Sequence, residues 1–477
     1  MYQSSIISKI FLSFIALFSG KILQLTVKFI LSLFVAKVLG PSQYGFWSMI
    51  ELINKYSPLL MYGVANGVKR ELPFWQGRND KRKQQLTESS GYIGIAISTI
   101  IFATLSVIAF IYFDNELTKY AVSATFLSGG ISQVYLYIYS LSLAKKKFST
   151  ASKLMVFEAI LIVVITIMGV FIFGIYGLLI GNIIVPLVIC SYYFKRNPIQ
   201  NRLIFDRNIF FRIIKVGLPL LFVGMGYVFL FTVNRLIIPY YLPLEYVGYF
   251  SFSMLVVTLF SPIVASIGEI LYTYMNEHVG HFNRVDNMDH LSIFPSLAIS
   301  ALLPCVLLPM IVVFPGLIEI YFPQYLNAST SIQIGLIIVA ATVGGGVNIL
   351  TSFMKQNLML IFISYSIIIN IILCNYFLKN GMGVDGAAIA LLIASIVYKV
   401  SNTVASLIIM KKKMGTYLLI FAMYIYPISI SLYAIMNYDS VKESFIYYFI
   451  LCIIAGCILM INIAKIMTRQ QLTISIK

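Results

Sequence analysis

Charge is scarce in this chain. Only 11% of its 477 residues are Asp, Glu, Lys or Arg, 60% are hydrophobic, and the mean hydropathy is +0.92. Soluble domains carry about 25% charged residues, and no polar stretch here is long enough to enclose a core of its own. A soluble domain is therefore excluded. Short alternating strands are also missing. The apolar runs approach 20 residues, which excludes an outer-membrane barrel and calls for membrane-spanning helices. The five cysteines (Cys190, Cys305, Cys374, Cys452, Cys457) all lie in apolar runs, with neither the loop pairing of disulfides nor the spacing of a metal site. His278, His281 and His290 gather near one loop without a zinc signature. No metal or cofactor is expected. The first apolar run is too long for a cleavable signal and lacks a small-residue cleavage site, so it is expected to be the first span.

Acidic residues are half as frequent as basic ones, 17 against 34, for a formal net charge of +17. On a soluble protein this would point to nucleic acid; here the cations mark topology, and no nucleic-acid partner is expected. They concentrate in alternate connections: residues 69–90 with Lys69, Arg70, Arg78, Lys81, Arg82 and Lys83, residues 144–153, residues 195–216, and Lys411, Lys412 and Lys413. The other connections have almost no cations. The positive-inside rule then places both termini in the cytoplasm.

The expected fold is an all-α polytopic membrane protein with about fourteen transmembrane helices. An internal repeat organises them. Leu39-Gly40-Pro41-Ser42-Gln43-Tyr44-Gly45, after the first span, is echoed 203 residues later by Leu242-Pro243-Leu244-Glu245-Tyr246-Val247-Gly248. Phe173-Gly174-Ile175-Tyr176-Gly177, opening the sixth span, is echoed 209 residues later by Met382-Gly383-Val384-Asp385-Gly386. Two echoes in nearly one register predict two six-helix lobes of the same orientation. The expected division is 1–194 for the first lobe, 195–216 for a basic cytoplasmic linker, 217–410 for the second lobe, and 411–477 for two additional helices and a tail.

With these residues in view, the chain resembles the bacterial polysaccharide exporters, or O-antigen flippases, of the multidrug/oligosaccharidyl-lipid/polysaccharide (MOP) exporter superfamily. The resemblance rests on the Val38–Gly45 turn, on Gly63-Val64-Ala65-Asn66-Gly67-Val68-Lys69-Arg70, and on the Gly-x-x-Gly openings of spans 6 and 12. It implies two six-helix lobes around a central cavity lined by spans 1, 2, 7 and 8. It further implies flipping of an undecaprenyl-diphosphate-linked oligosaccharide from the inner to the outer leaflet of the cytoplasmic membrane. Membrane lipids, a polysaccharide polymerase, a chain-length regulator and a coupling H+ or Na+ are the corresponding candidate partners.

Candidate site residues follow from cost. A charge near the bilayer centre costs roughly 2.5–3.5 kcal/mol even on lenient scales. Lys21 and Lys28 leave one side of the first span with Gln24 between them, and Lys28 lies about 16 Å below the outer end of that span. They are the first candidates for diphosphate contacts; the alternative is a structural pair with a carboxylate across the lobe. Glu51 and Lys55, spaced i,i+4, share a face of the second span with Asn66. They form either a cavity wall or a self-satisfied pair. Asn234 and Arg235 near the outer end of span 7, and Lys399 in the middle of span 12, complete the set. Glu158 and Glu269 sit nearer cytoplasmic ends, where a snorkelled or locally paired carboxylate is expected; the alternative for Glu269 is closure of an inner gate.

Two other functions are weighed. A cation-coupled drug exporter of the same superfamily would carry acidic residues in its cavity, whereas the deep charges here are mainly basic. A polysaccharide polymerase or ligase needs a large outer loop, and the longest here, about 315–329, has one charge, Glu319. Asp114-Asn115-Glu116, similar to a glycosyltransferase metal site, lies in a loop of about six residues, too small for a sugar donor. The chain is expected not to be an enzyme.

Overall fold

The computed structural model describes residues 2–198, 203–261, 289–342, 346–353, 355–410 and 414–475, together with 268, 271, 272 and 275. Among the described residues the regular structure is helical throughout. Among the described residues eleven helices are long and apolar enough to cross a membrane, which leaves the count of fourteen unconfirmed. The physical reasons are local. The stretch Leu17–Met61 enters as one helix of 45 residues, about twice the length that a ~30 Å hydrocarbon core requires at ~1.5 Å per residue. Glu116–Ala144 is long enough but rich in buried Ser, Thr and Gly, and is not among the eleven.

Helix α1 (Tyr2–Tyr56) is broken at Gly40, whose φ of 71° and ψ of 171° interrupt the helical run. Pro41 follows, a residue that starts a helix well because it has no N–H to satisfy. The turn read from the sequence is thus a single-residue hinge between the first two spans. A second break comes at Ser57–Met61, a 3-10 turn opened by Pro58, followed by Tyr62 and Gly63, both left-handed. Helix α2 (Val64–Gly77) resumes beyond it. Then come α3 (Lys81–Tyr112), α4 (Glu116–Ala144), α5 (Phe148–Leu161), a π turn at Ile162–Ile167, α6 (Met168–Phe173), α7 (Ile175–Arg196) and α8 (Arg207–Ile237). Asp80 and Asn115 cap α3 and α4 by accepting hydrogen bonds from the amides of Lys83 and Thr118.

The described chain divides into two compact units, the first made of Met1–Thr232 and Ala265–Arg284, the second of Val233–Val264 and Val285–Lys477. Most of α8 therefore belongs to the first unit. There α3 packs on α4, α1 on α5, and α4 on α7. Lipid tails are as apolar as leucine, so packing rests on small residues that let backbones approach. Gly63 meets the backbone of Gly217, and Gly67 meets Ile213, bringing α2 against α8. Glu71 of α2, fully buried, bonds both Arg70 and Arg212, the latter at 2.7 Å across to α8. Outward faces are apolar: Ile111, Phe171 and Ile172 are 76%, 79% and 66% exposed, which suits lipid and not water.

The second unit contains α9 (Leu244–Ser253), α10 (Asp289–Tyr321), α11 (Ser329–Thr342), α12 (Gly346–Ser352), α13 (Gln356–Lys379), α14 (Gly383–Ile409), α15 (Met414–Met436), α16 (Tyr438–Glu443) and α17 (Phe445–Ser475). Helix α13 packs on α14, while α15 and α17 both pack on α10. The sequence echoes have conformational counterparts. Gly174 and Gly383 share a φ of 56°, and Pro243, the mate of Gly40, also precedes a helix, with an extended ψ of 158°.

Candidate functional site

A cavity of about 300 Å³ lies inside the first unit, between α1, α4, α5 with its π turn, and α7. Lys28 and Glu51 reach it from the two arms of α1, and Glu158 from α5. Lys28 Nζ stands 2.6 Å from Glu158 Oε1. Gln24 Nε2 donates to Glu158 Oε2 at 2.5 Å and lies 3.4 Å from the Tyr135 hydroxyl. Glu158 is thus held through both carboxylate oxygens, by a cation and by an amide. A buried carboxylate demands this: its desolvation is recovered only when its lone pairs are met.

Backbone irregularities bracket the cavity. The Gly40 break folds the second arm of α1 back, so that Tyr44, Trp47, Glu51 and Asn54 share a lining with Lys28. The π turn Ile162–Ile167 contributes Ile162 and Thr166, and Gly181 of α7 closes against Thr166. Such wide turns recur at functional positions of helices.

The structure distributes the sequence candidates unevenly. Lys28, Gln24 and Glu51 gather at this cavity. Lys55 stands 3.8 Å from Glu51 without lining it. Lys21 points its ammonium at the Tyr139 ring, 5.8 Å from the centroid. Asn66 sits beyond the second break, on α2, outside the lining. Asn234, Arg235 and Lys399 belong to the second unit. Asn234 is fully buried; it donates to the Ala387 carbonyl at 2.7 Å and accepts from Asn370 at 2.8 Å. Arg235 is only 4% exposed, and its Nε and Nη1 have no hydrogen-bond partner among the described residues. Lys399 donates to the Thr342 carbonyl at 2.8 Å. Glu269, His278, His281 and Lys411 to Lys413 lie outside the described residues.

Sequence reading gives Glu158 no site role and passes over Trp47, Tyr135 and Asn182, all of which face the cavity. The usable signal was a lone carboxylate inside the apolar run 154–173, a position that requires a cation opposite. Instead of snorkelling, Glu158 is buried and meets Lys28. Among the described residues no group of three His, Cys, Asp or Glu could hold a metal ion.

Comparison with known proteins fits this architecture. Residues 34–314 match a family described as polysaccharide biosynthesis protein. No curated protein sequence matches. Among solved structures, a mutant of the Vibrio cholerae MATE transporter VcmN superposes with a TM-score of 0.67 at 12% identity, over 87% of this chain and 99% of that one. An outward-facing multidrug resistance MATE transporter of the MOP superfamily gives 0.64 at 12% identity, over 85% and 96%. A MOP superfamily transporter from Pyrococcus furiosus, described as having a binding pocket of reverse polarity, gives 0.61 at 13% identity, over 84% and 96%. These likenesses establish the fold, and the family match extends over more than half of the sequence. The chain is a member of the polysaccharide biosynthesis protein family with the two-lobed fold of MOP superfamily transporters.

Proposed function

We propose that this chain is a flippase that carries an undecaprenyl-diphosphate-linked oligosaccharide, of the O-antigen or capsule type, from the inner to the outer leaflet of a bacterial cytoplasmic membrane. It acts by alternating access, with both termini in the cytoplasm and without enzymatic turnover. A polymerase and a chain-length regulator would receive its product. The observation that carries this reading is the family match to polysaccharide biosynthesis on a chain with a transporter fold. The geometry supports it with a polar cavity among helices of membrane-spanning length.

Roles shift relative to the expectation from sequence. The Lys28 charge is neutralised by Glu158, so Lys28 is poorly suited to a diphosphate. Arg235 is better suited: it is buried, two of its nitrogens have no hydrogen-bond partner among the described residues, and a guanidinium fork matches phosphate oxygens. Outward movement of negative charge runs with an inside-negative potential, worth roughly 2.3 kcal/mol per charge per 100 mV.

A second reading, a cation-coupled exporter of small molecules, is favoured by one observation: two carboxylates, Glu51 and Glu158, face one cavity. Proteoliposomes separate the two. The flippase reading expects chain-dependent exposure of lipid-linked sugar on the far leaflet, slowed at least tenfold in Arg235→Gln and unchanged in Lys37→Ala, an exposed residue of α1 three residues before the Gly40 break. Export of organic cations against a Na+ or H+ gradient, with no lipid movement, would establish the second reading instead.

A further inference from the structure

The lining of the first-unit cavity restricts what it can hold. Its charged side chains are one lysine, Lys28, and two carboxylates, Glu51 and Glu158; each carboxylate is answered by a lysine, Glu158 by Lys28 and Glu51 by Lys55 at 3.8 Å. No net positive charge is left to draw an incoming diphosphate. A metal cation meets a different obstacle: both Glu158 oxygens are already taken, one by the Lys28 ammonium and the other by Gln24. The tethered ammonium stands where a bound cation would have to stand.

What remains suits an uncharged polyol. Each sugar hydroxyl is both donor and acceptor, so it can donate to a carboxylate of the lining while accepting from the neighbouring ammonium or from the amide of Asn182. Trp47 and Tyr135 line the same space, and their rings offer apolar faces to the C–H side of a pyranose, with polar tips for its rim. A volume of about 300 Å³ is the low end for small-molecule pockets, the scale of a ring or two and not of a chain.

We infer that this cavity is a binding subsite for a neutral sugar ring, a hexose or N-acetylhexosamine, of the transported oligosaccharide. The inference rests on the flippase reading and assigns the sugar and the diphosphate to different residues: the sugar to the Lys28–Glu158 cavity, the anion elsewhere.

The chain supplies its own probe, because it has only two tryptophans, Trp47 in the cavity and Trp75 on α2. In the full-length Trp75→Phe protein, glucose and N-acetylglucosamine should each shift Trp47 emission saturably. Inorganic pyrophosphate and NaCl at matched concentration should not. Asn182→Ala should weaken the sugar response at least tenfold. Since Trp75 packs against Arg212 and Lys83, the wild-type chain is also tested by equilibrium dialysis with labelled N-acetylglucosamine, which does not depend on that substitution. A response to pyrophosphate or sodium alone, no sugar binding by dialysis, or sugar binding indifferent to Asn182→Ala would each overturn the inference. Wild-type flipping is measured in parallel. Flipping without sugar binding sinks this inference alone, whereas sugar binding without flipping sinks the flippase reading.

Discussion

The Lys28–Glu158 contact joins a half-exposed lysine to a buried carboxylate, with side chains 45% and 9% exposed. The two partners are therefore not equivalent. Removing the lysine strands a buried negative charge; removing the carboxylate frees an ammonium that can still reach polar surroundings. Breaking a fully buried pair costs about 3–5 kcal/mol, and the exposure of Lys28 lowers that figure. Lys28→Met is expected to cost about 2–3 kcal/mol and to depress folded accumulation, with Glu158→Gln milder. The Lys28→Met/Glu158→Gln double variant should recover most of the loss. Thermal melts in detergent read this directly; a double variant as unstable as the sum of the singles would show that the two side chains are not coupled. The pair was only half legible in the sequence. Periodicity put Lys21, Gln24 and Lys28 on one face, but it does not say which helix that face meets. Gln24 and Glu158 are 134 residues apart, and only the packing of α1 on α5 brings them together.

Helices show the same division between local and distant information. The break at Gly40 was readable because Gly-Pro states its backbone consequence within two residues. The second break, at Ser57–Gly63, was not read, since Pro58 and Gly63 are separated by apolar residues that continue a span. Its importance lies in what Gly63 and Gly67 approach: the α8 backbone at Gly217 and Ile213. Two glycines of α8 offer a matched comparison. A methyl at Gly217 would run into the Gly63 carbonyl, while nothing lies within 4 Å of one at Gly224. Gly217→Ala should therefore lower the melting temperature. Gly224→Ala should leave it unchanged or raise it, in line with a helix gain of up to about 1 kcal/mol. Equal effects would mean that the α2–α8 approach is not tight in the membrane. The start of α3 carries a pH dependence. Asp80 accepts from the Lys83 amide and faces its ammonium, which together hold its carboxyl below the ordinary value of 3.8. A depressed folded value means that the cap stabilises α3 fully above the unfolded carboxylate range and loses its effect as pH falls through the folded value. Amide exchange at Lys83 should accelerate only below about pH 4; acceleration beginning near neutrality would assign the protection to another group.

At the scale of the whole molecule, the repeat was legible because glycine and proline positions recur where the backbone must turn, and Gly174 and Gly383 do share one φ. The distribution of charge between the units was not legible, because a count of cations does not show which of them a carboxylate has answered. Among the described residues Lys28 meets a carboxylate and Arg235 does not, although both stand out equally in the sequence. Orientation follows from the exposed cations instead. The turns holding Arg82 and Lys146 are basic, and those holding Asn115 and Asn380 are nearly free of cations. Each pair of turns is separated by whole helices: α3 runs from Lys81 to Tyr112 and α4 from Glu116 to Ala144. At ~1.5 Å per residue these helices are about 48 and 44 Å long, enough for a core of ~30 Å. If both helices cross, Arg82 and Lys146 share one side, with Asn115 opposite, whichever way the chain inserts. The positive-inside rule fixes which side is which. Reporter fusions at Arg82 and Lys146 should score cytoplasmic, and those at Asn115 and Asn380 external. If Asn115 and Asn380 both score cytoplasmic, the chain is inverted, outward movement of a diphosphate would have to start from the other leaflet, and the flippase reading would fail with it.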